Sequence, residues 1–199
     1  MRRFDWMGGA LAALVTCLGL AQAVPVAGQA TVTAVAELPL ASPTGAGSRN
    51  LSFGTIVPTS AGPVAVTVPA AVAPSSASVH SGEFRLDVGT LRGVSVTVDT
   101  PNELMSAAAS MPVDYNGAEF GAWCVDADAG CTLTAFNPAT TDELRVCWRT
   151  VGSGSCHPIQ NFPPGSVLSI YIGGALHVAP VQRAGTYTGT ITLSIVQVY

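Results

Sequence analysis

The sequence contains no lysine, and charge of either sign is sparse: eight arginines and twelve acidic residues among 199, or 10% of the chain. The use of arginine alone reads as compositional bias. A net charge of −4 without a basic cluster excludes the electrostatic footprint of a nucleic-acid binder or of a protein held on anionic membranes. Helical signals are also missing. No stretch of useful length repeats apolar residues at helical spacing or opens on a convincing cap, so the expected class is all-β. Beyond the N-terminus no 18-residue run is uninterruptedly apolar, and no membrane span is expected in the mature chain. Catalytic signatures are absent too. There is no GxSxG, HExxH or phosphate loop, and His80, His157 and His177 lie far apart in the sequence. Only a dispersed Ser-His-Asp triad, which abundant Ser and Asp always permit, keeps catalysis open. The expectation is a protein that is not an enzyme, without cofactor or metal.

What the chain has is a mean hydropathy of +0.43, and part of it is explained by the first residues. Arg2 and Arg3 precede an apolar run from Gly8 to Leu20 and a small-x-small site, Ala21-Gln22-Ala23. That is the layout of a secretory signal peptide, expected to be cut after Ala23, with Ala30 as the second choice. Arg2-Arg3-Phe4 lacks the rest of a twin-arginine motif, and Thr16 before Cys17 fits a lipoprotein box poorly. Removing residues 1–23 takes away Arg2, Arg3 and Asp5 and leaves a net charge of −5. The organisation expected is signal peptide 1–23, arm and linker 24–48, and domain 49–199, exported to the periplasm, the cell surface or beyond.

Four cysteines remain after export: Cys124, Cys131, Cys147 and Cys156. An even number in an oxidising compartment points to two disulfides. Of three pairings, Cys124–Cys131 and Cys147–Cys156 is preferred, because each pair brackets a short turn. A Cys₄ metal site is the rival, and neither spacing nor neighbouring histidines beyond His157 support it. Asp126-Ala127-Asp128 resembles the start of a calcium loop but lacks the later acidic ligands. Asn50-Leu51-Ser52 fits a glycosylation sequon.

From Val24 to Leu40 the apolar residues fall on even numbers: Val24, Val26, Ala30, Val32, Ala34, Ala36, Leu38 and Leu40, with Gly28 the gap. Period two predicts one long strand, and Pro25 and Pro39 suit its ends. Ala41 to Ser48 reads as a small-residue linker able to span about 27 Å when extended. After it, turns separate short alternating runs. These are 51–57, 63–69, 83–88 and 93–99, then 111–115, two cysteine hairpins around 122–133 and 144–159, and 167–178. The final strand, Thr186 to Tyr199, alternates Ile191, Leu193 and Ile195 with Thr190, Thr192 and Ser194. Strands at this spacing imply an antiparallel β-sandwich.

Residues 51–69 and 171–199 resemble the opening and closing signatures of a bacterial domain-of-unknown-function family, numbered 4402. The matching elements are Phe53-Gly54-Thr55-Ile56, Gly173-Gly174, Gln182 and Gly185-x-Tyr187-x-Gly189-Thr190. The cysteine block departs from the usual pattern. The family is similar in turn to spore-coat-U and fimbrial pilin domains, which have an incomplete immunoglobulin-like fold. That resemblance implies a subunit whose missing strand is supplied by a neighbour's arm. The donor side chains would then be Val32, Ala34, Ala36, Leu38 and Leu40, with Ile191, Leu193, Ile195 and Tyr199 beside the acceptor groove. The partners implied are copies of itself or other pilin-type subunits, with a periplasmic chaperone and an outer-membrane usher. Head-to-tail joining of this kind gives filaments. An arm folding into its own domain has the same sequence signature, which leaves a self-complemented secreted sandwich as the alternative. Tyr115, Phe120, Trp123 and Trp148 would give such a sandwich a carbohydrate- or surface-binding patch only if they point outward.

Overall fold

The computed structural model describes residues 28–37, 44–58, 62–71, 76, 78–89, 91–107, 109–126, 131–147 and 162–197. At 28–37, 44–48 and 197 it describes the backbone only. The described residues are β-strands and turns, with one turn of 3-10 helix at Ala118–Phe120. The strands are β1 Gly28–Glu37, β2 Thr44–Arg49, β3 Leu51–Ile56, β4 Val64–Val68 and β5 Val79–His80. Next come β6 Gly82–Gly89, β7 Gly93–Asp99, β8 Glu103–Ser106, β9 Ala109–Asp114 and β10 Gly121–Val125. The last are β11 Thr134–Phe136, β12 Leu144–Cys147, β13 Ser166–Ile172, β14 Gly174–Val178 and β15 Thr186–Gln197.

These strands form two sheets. One runs β11-β10-β13-β6-β2. The larger runs β4-β14-β9-β8-β15-β1-β3-β5, with β7 also on β15 and β12 on β7. Alternation makes the sandwich. Phe84, Leu86 and Val88 of β6 are buried, while Asp87 between them is exposed. On β13, Leu168, Ile170 and Ile172 face the same core. From the larger sheet, Leu51, Phe53, Val94, Val96, Ile191 and Leu193 complete one continuous cluster. Each such side chain contributes about 1.5–3 kcal/mol when fully buried. The all-β sandwich expected from the sequence is the fold observed.

Four features differ from the sequence reading. Thr44–Arg49, of which 44–48 is expected within a small-residue linker, is the edge strand β2, paired with β6 through a register shift between Gly45 and Gly47. Small residues carry no alternation signal, and β6 supplies the order from outside. Arg49 anchors the strand by donating from Nε to the Ser81 carbonyl (3.1 Å) and pairing with Glu83 (3.4 Å). Secondly, β8 precedes β9 as a hairpin, although Pro101-Asn102 interrupts the pattern before it. Thirdly, 167–178 is two strands in different sheets, changing over at Gly173. A Cβ at Gly173 would collide with the Val68 carbonyl and stand 2.8 Å from the Ala70 nitrogen. Only glycine fits that crossing. Lastly, the sandwich is not wholly antiparallel: β1 lies parallel to β15. Among the described strands this is the one parallel ladder.

Candidate functional site

The arm occupies a defined place. β1 lies between β15 and β3 and pairs with both: parallel to β15 from Gln29↔Thr186 to Glu37↔Ser194, antiparallel to β3 from Gly28↔Ile56 to Val32↔Leu51. Of the predicted donor positions, Val32 stands in register with Gly189, Ala34 with Ile191 and Ala36 with Leu193. Leu38 and Leu40 lie outside the described residues. On the receiving strand Ile191, Leu193 and Ile195 are fully buried, as their alternation predicts. Tyr199 lies outside the described residues. Beyond the reach of β1, Ile195 pairs with Val96 of β7.

The sequence motifs build the frame of this position. Gly54 has φ of +74°, and a Cβ there would lie 2.8 Å from the Val79 side chain. It stands opposite Ala30, where the β1–β3 register shifts. Such a bulge with a left-handed glycine bends a strand and tightens its twist. On the other side, the buried Tyr187 is the second residue of β15. Its phenol donates 2.7 Å to the Arg183 carbonyl and accepts 2.8 Å from Gln182 Nε2, which also donates 3.0 Å to the Ser110 carbonyl. One knot therefore ties the 179–185 turn, the start of β15 and β9 together. At Gly189 a Cβ would lie 2.8 Å from Leu104 Cδ2 and 3.0 Å from Pro101 Cγ. The resemblance marked Gly54, Gln182, Tyr187 and Gly189. Their roles depend on Val79, Ser110, Arg183 and Leu104, distant or unpatterned residues that the sequence does not single out.

The site is almost free of charge. Within β1, β3 and β15 the one carboxylate or cationic side chain is Glu37, in register with Ser194. Its chemistry is main-chain hydrogen bonding along two strand edges, and it offers no paired acid and base. Among the described residues no group of three His, Cys, Asp or Glu side chains could hold a metal ion. Asp126, at the start of the imagined calcium loop, instead accepts 3.0 Å from the Val167 nitrogen, and its own nitrogen donates 2.8 Å to the Val167 carbonyl. Among the described residues no helix is long and apolar enough to cross a membrane.

The other predicted sites divide as follows. Cys124 and Cys131 form a disulfide, as expected, beside the β10–β11 hairpin. Cys147 is disulfide-bonded at the end of β12, and Cys156 lies outside the described residues. Tyr115 and Phe120 are buried and contribute no outward patch, Trp123 is half-buried against the core, and Trp148 lies outside the described residues. Burial pushes the Tyr115 phenol well above its ordinary range, and its oxygen has no hydrogen-bond partner. Cys124 packs with Ala122 and the fully buried Tyr171 on the outer side of the five-stranded sheet, with Cys131 against them.

No curated protein matches the chain. One family model does, over residues 44–196, which takes in every strand from β2 to β15 and leaves out β1. The chain belongs to the family described as Domain of unknown function (DUF4402).

Proposed function

We propose that this protein is an exported, non-catalytic structural or adhesive subunit of the cell surface that assembles by exchanging β1. One observation carries the reading. The family domain spans 44–196, yet the strand between its first and last core strands comes from outside that range. A domain whose sheet is closed by a preceding segment can take the same segment from a neighbour. β-Strand addition supplies affinity through main-chain hydrogen bonds and selectivity through alternate side chains. β1 precedes the family domain in the chain, and unpaired it can be offered to another copy. Repeated head to tail, the contact does not close and builds a filament. The partners are copies of the chain or related subunits, delivered by a chaperone and an outer-membrane usher.

A second reading has its own support: β1 pairs within its own chain, as it would in a self-complemented secreted monomer. A gel of the native surface fraction, unboiled against boiled, separates the two. Strand-exchanged subunits give a ladder that collapses to one band on boiling. A single monomer band in both lanes rejects exchange and leaves the monomer.

A further inference from the structure

β4 is an open strand edge. Among the described residues it pairs with β14 alone and ends its sheet. Such edges are ordinarily blunted by charge, bulges or shortness, because their free N–H and C=O groups invite another chain. The other terminal strands follow that rule. β2 carries Arg49 and a register shift, β12 carries Arg145, and β5 and β11 are two and three residues long. β4 has none of these devices. Its five residues, Val64-Ala65-Val66-Thr67-Val68, are uncharged and meet Gly174–Val178 without a register break. Val68 is buried, Val64 and Val66 are half-buried against the core, and Ala65 and Thr67 between them are exposed.

We propose that β4 is an interaction surface for β4 of a second copy, paired antiparallel about a two-fold axis at Val66. The segment from Pro63 to Pro69 reads nearly the same in both directions. In that register Val66 meets Val66, Val64 meets Val68, Ala65 meets Thr67 and Pro63 meets Pro69. Opposed residues of an antiparallel pair share a face, so the three valines of each copy continue one apolar row on the core side. Slippage by one residue would turn the apolar row of one copy towards the exposed face of the other. No like charges are opposed, and the two prolines, which lack N–H donors, bound the ladder at both ends. The contact is isologous and closes as a dimer, unlike the exchange of β1, on which it does not depend. Five residues from each copy bury less than a stable dimer needs, so the pairing is weak and rises with concentration.

The test uses the full mature chain, altered only at the two exposed positions. Ala65→Cys and Thr67→Cys chains are mixed in equal amounts and mildly oxidised. The mixed disulfide dimer should form in several-fold excess over its statistical share, because Ala65 stands opposite Thr67 and neither stands opposite itself. A chain carrying Ala65→Lys and Thr67→Lys sets like charges against each other at both pairs. Its monomer–dimer midpoint, read by sedimentation, should move to several-fold higher concentration while the β-sheet circular dichroism is unchanged. Mixing that chain with one carrying Ala65→Glu and Thr67→Glu should restore the dimer as a heterodimer. A statistical yield of disulfide dimers, or a mixture of the two charged chains no more associated than either alone, overturns the pairing. Neither position lies on β1 or on the two strands that β1 pairs with, so arm exchange predicts no effect of these changes.

Discussion

The Tyr187 phenol hydrogen-bonds the Arg183 carbonyl, four residues upstream, at 2.7 Å, and is fully buried while doing so. This is the geometry by which a tyrosine pins the entry of a strand in β-sandwiches. Here Gln182 joins it to Ser110 and so to β9. Tyr187→Phe should cost about 1 kcal/mol, since the Arg183 carbonyl loses its donor and the Gln182 amide its acceptor. Gln182→Ala should cost about 1 kcal/mol, and the double variant less than the sum of the two because they share a network. Urea unfolding of the four proteins checks this. Strict additivity would mean that the residues do not act together.

The changeover at Gly173 should be intolerant of any side chain. Gly173→Ala should cost about 3 kcal/mol or more, because the obstruction is backbone and cannot rotate away. A near-native melting temperature for this variant would contradict the path from β13 to β14.

Stability should fall at high pH through Tyr115. Burial raises its folded pKa above the ordinary phenol value of about 10, so the folded state favours the neutral form. Its contribution is intact below about pH 10 and is lost as pH rises towards the folded value. Tyr115→Phe removes that loss, and because the phenol oxygen lacks a partner it should cost little at neutral pH. Burial moves Tyr171 in the same direction, so the alkaline decline should shrink without vanishing. Melting temperatures from neutral pH to about pH 11, wild type against variant, read this directly.

Replacing Cys124 and Cys131 together by serine should cost about 2–3 kcal/mol, the entropy of closing so short a loop. Reducing agent should cost more, because it opens the Cys147 disulfide as well. An unchanged denaturation midpoint would mean that Tyr171 and Ala122 hold the hairpin unaided.

A charge on the arm should stop assembly without unfolding the domain. Val32→Asp puts a carboxylate in register with Gly189 of β15 on one side and Leu51 of β3 on the other, two strands without a cationic side chain. Leu38→Asp extends the same test along the arm. The surface ladder should disappear while the β-sheet circular dichroism persists. An intact ladder would exclude the arm as donor.

The fold class, most strand positions and the buried rows of β6, β7 and β15 were legible because alternation is local. Phe84, Leu86 and Val88 declare their face whatever pairs with them. β2 was not legible: Thr44–Arg49 has almost no side-chain pattern, and its order comes from β6 and from Arg49 reaching Ser81 and Glu83. β8 was hidden for a similar reason, being only four residues long behind Pro101. At the candidate site the alternation of the arm and of Ile191, Leu193 and Ile195 could be read directly. That Ala34 stands in register with Ile191, and that the ladder is parallel, could not.

The sequence by itself determined an all-β chain, the even-numbered row of the arm, the hydroxylic and apolar faces of the last strand, and a site whose one charged side chain is Glu37. Those properties belong to single segments and follow from the two-residue period of an extended backbone. Tertiary structure alone decided which strands are neighbours, the parallel direction of β1, the opposition of Val32 to Gly189, and the burial of Tyr115 and Phe120. Pairing joins segments more than a hundred residues apart, and its register depends on bulges, glycine crossings and the volumes already taken by the core.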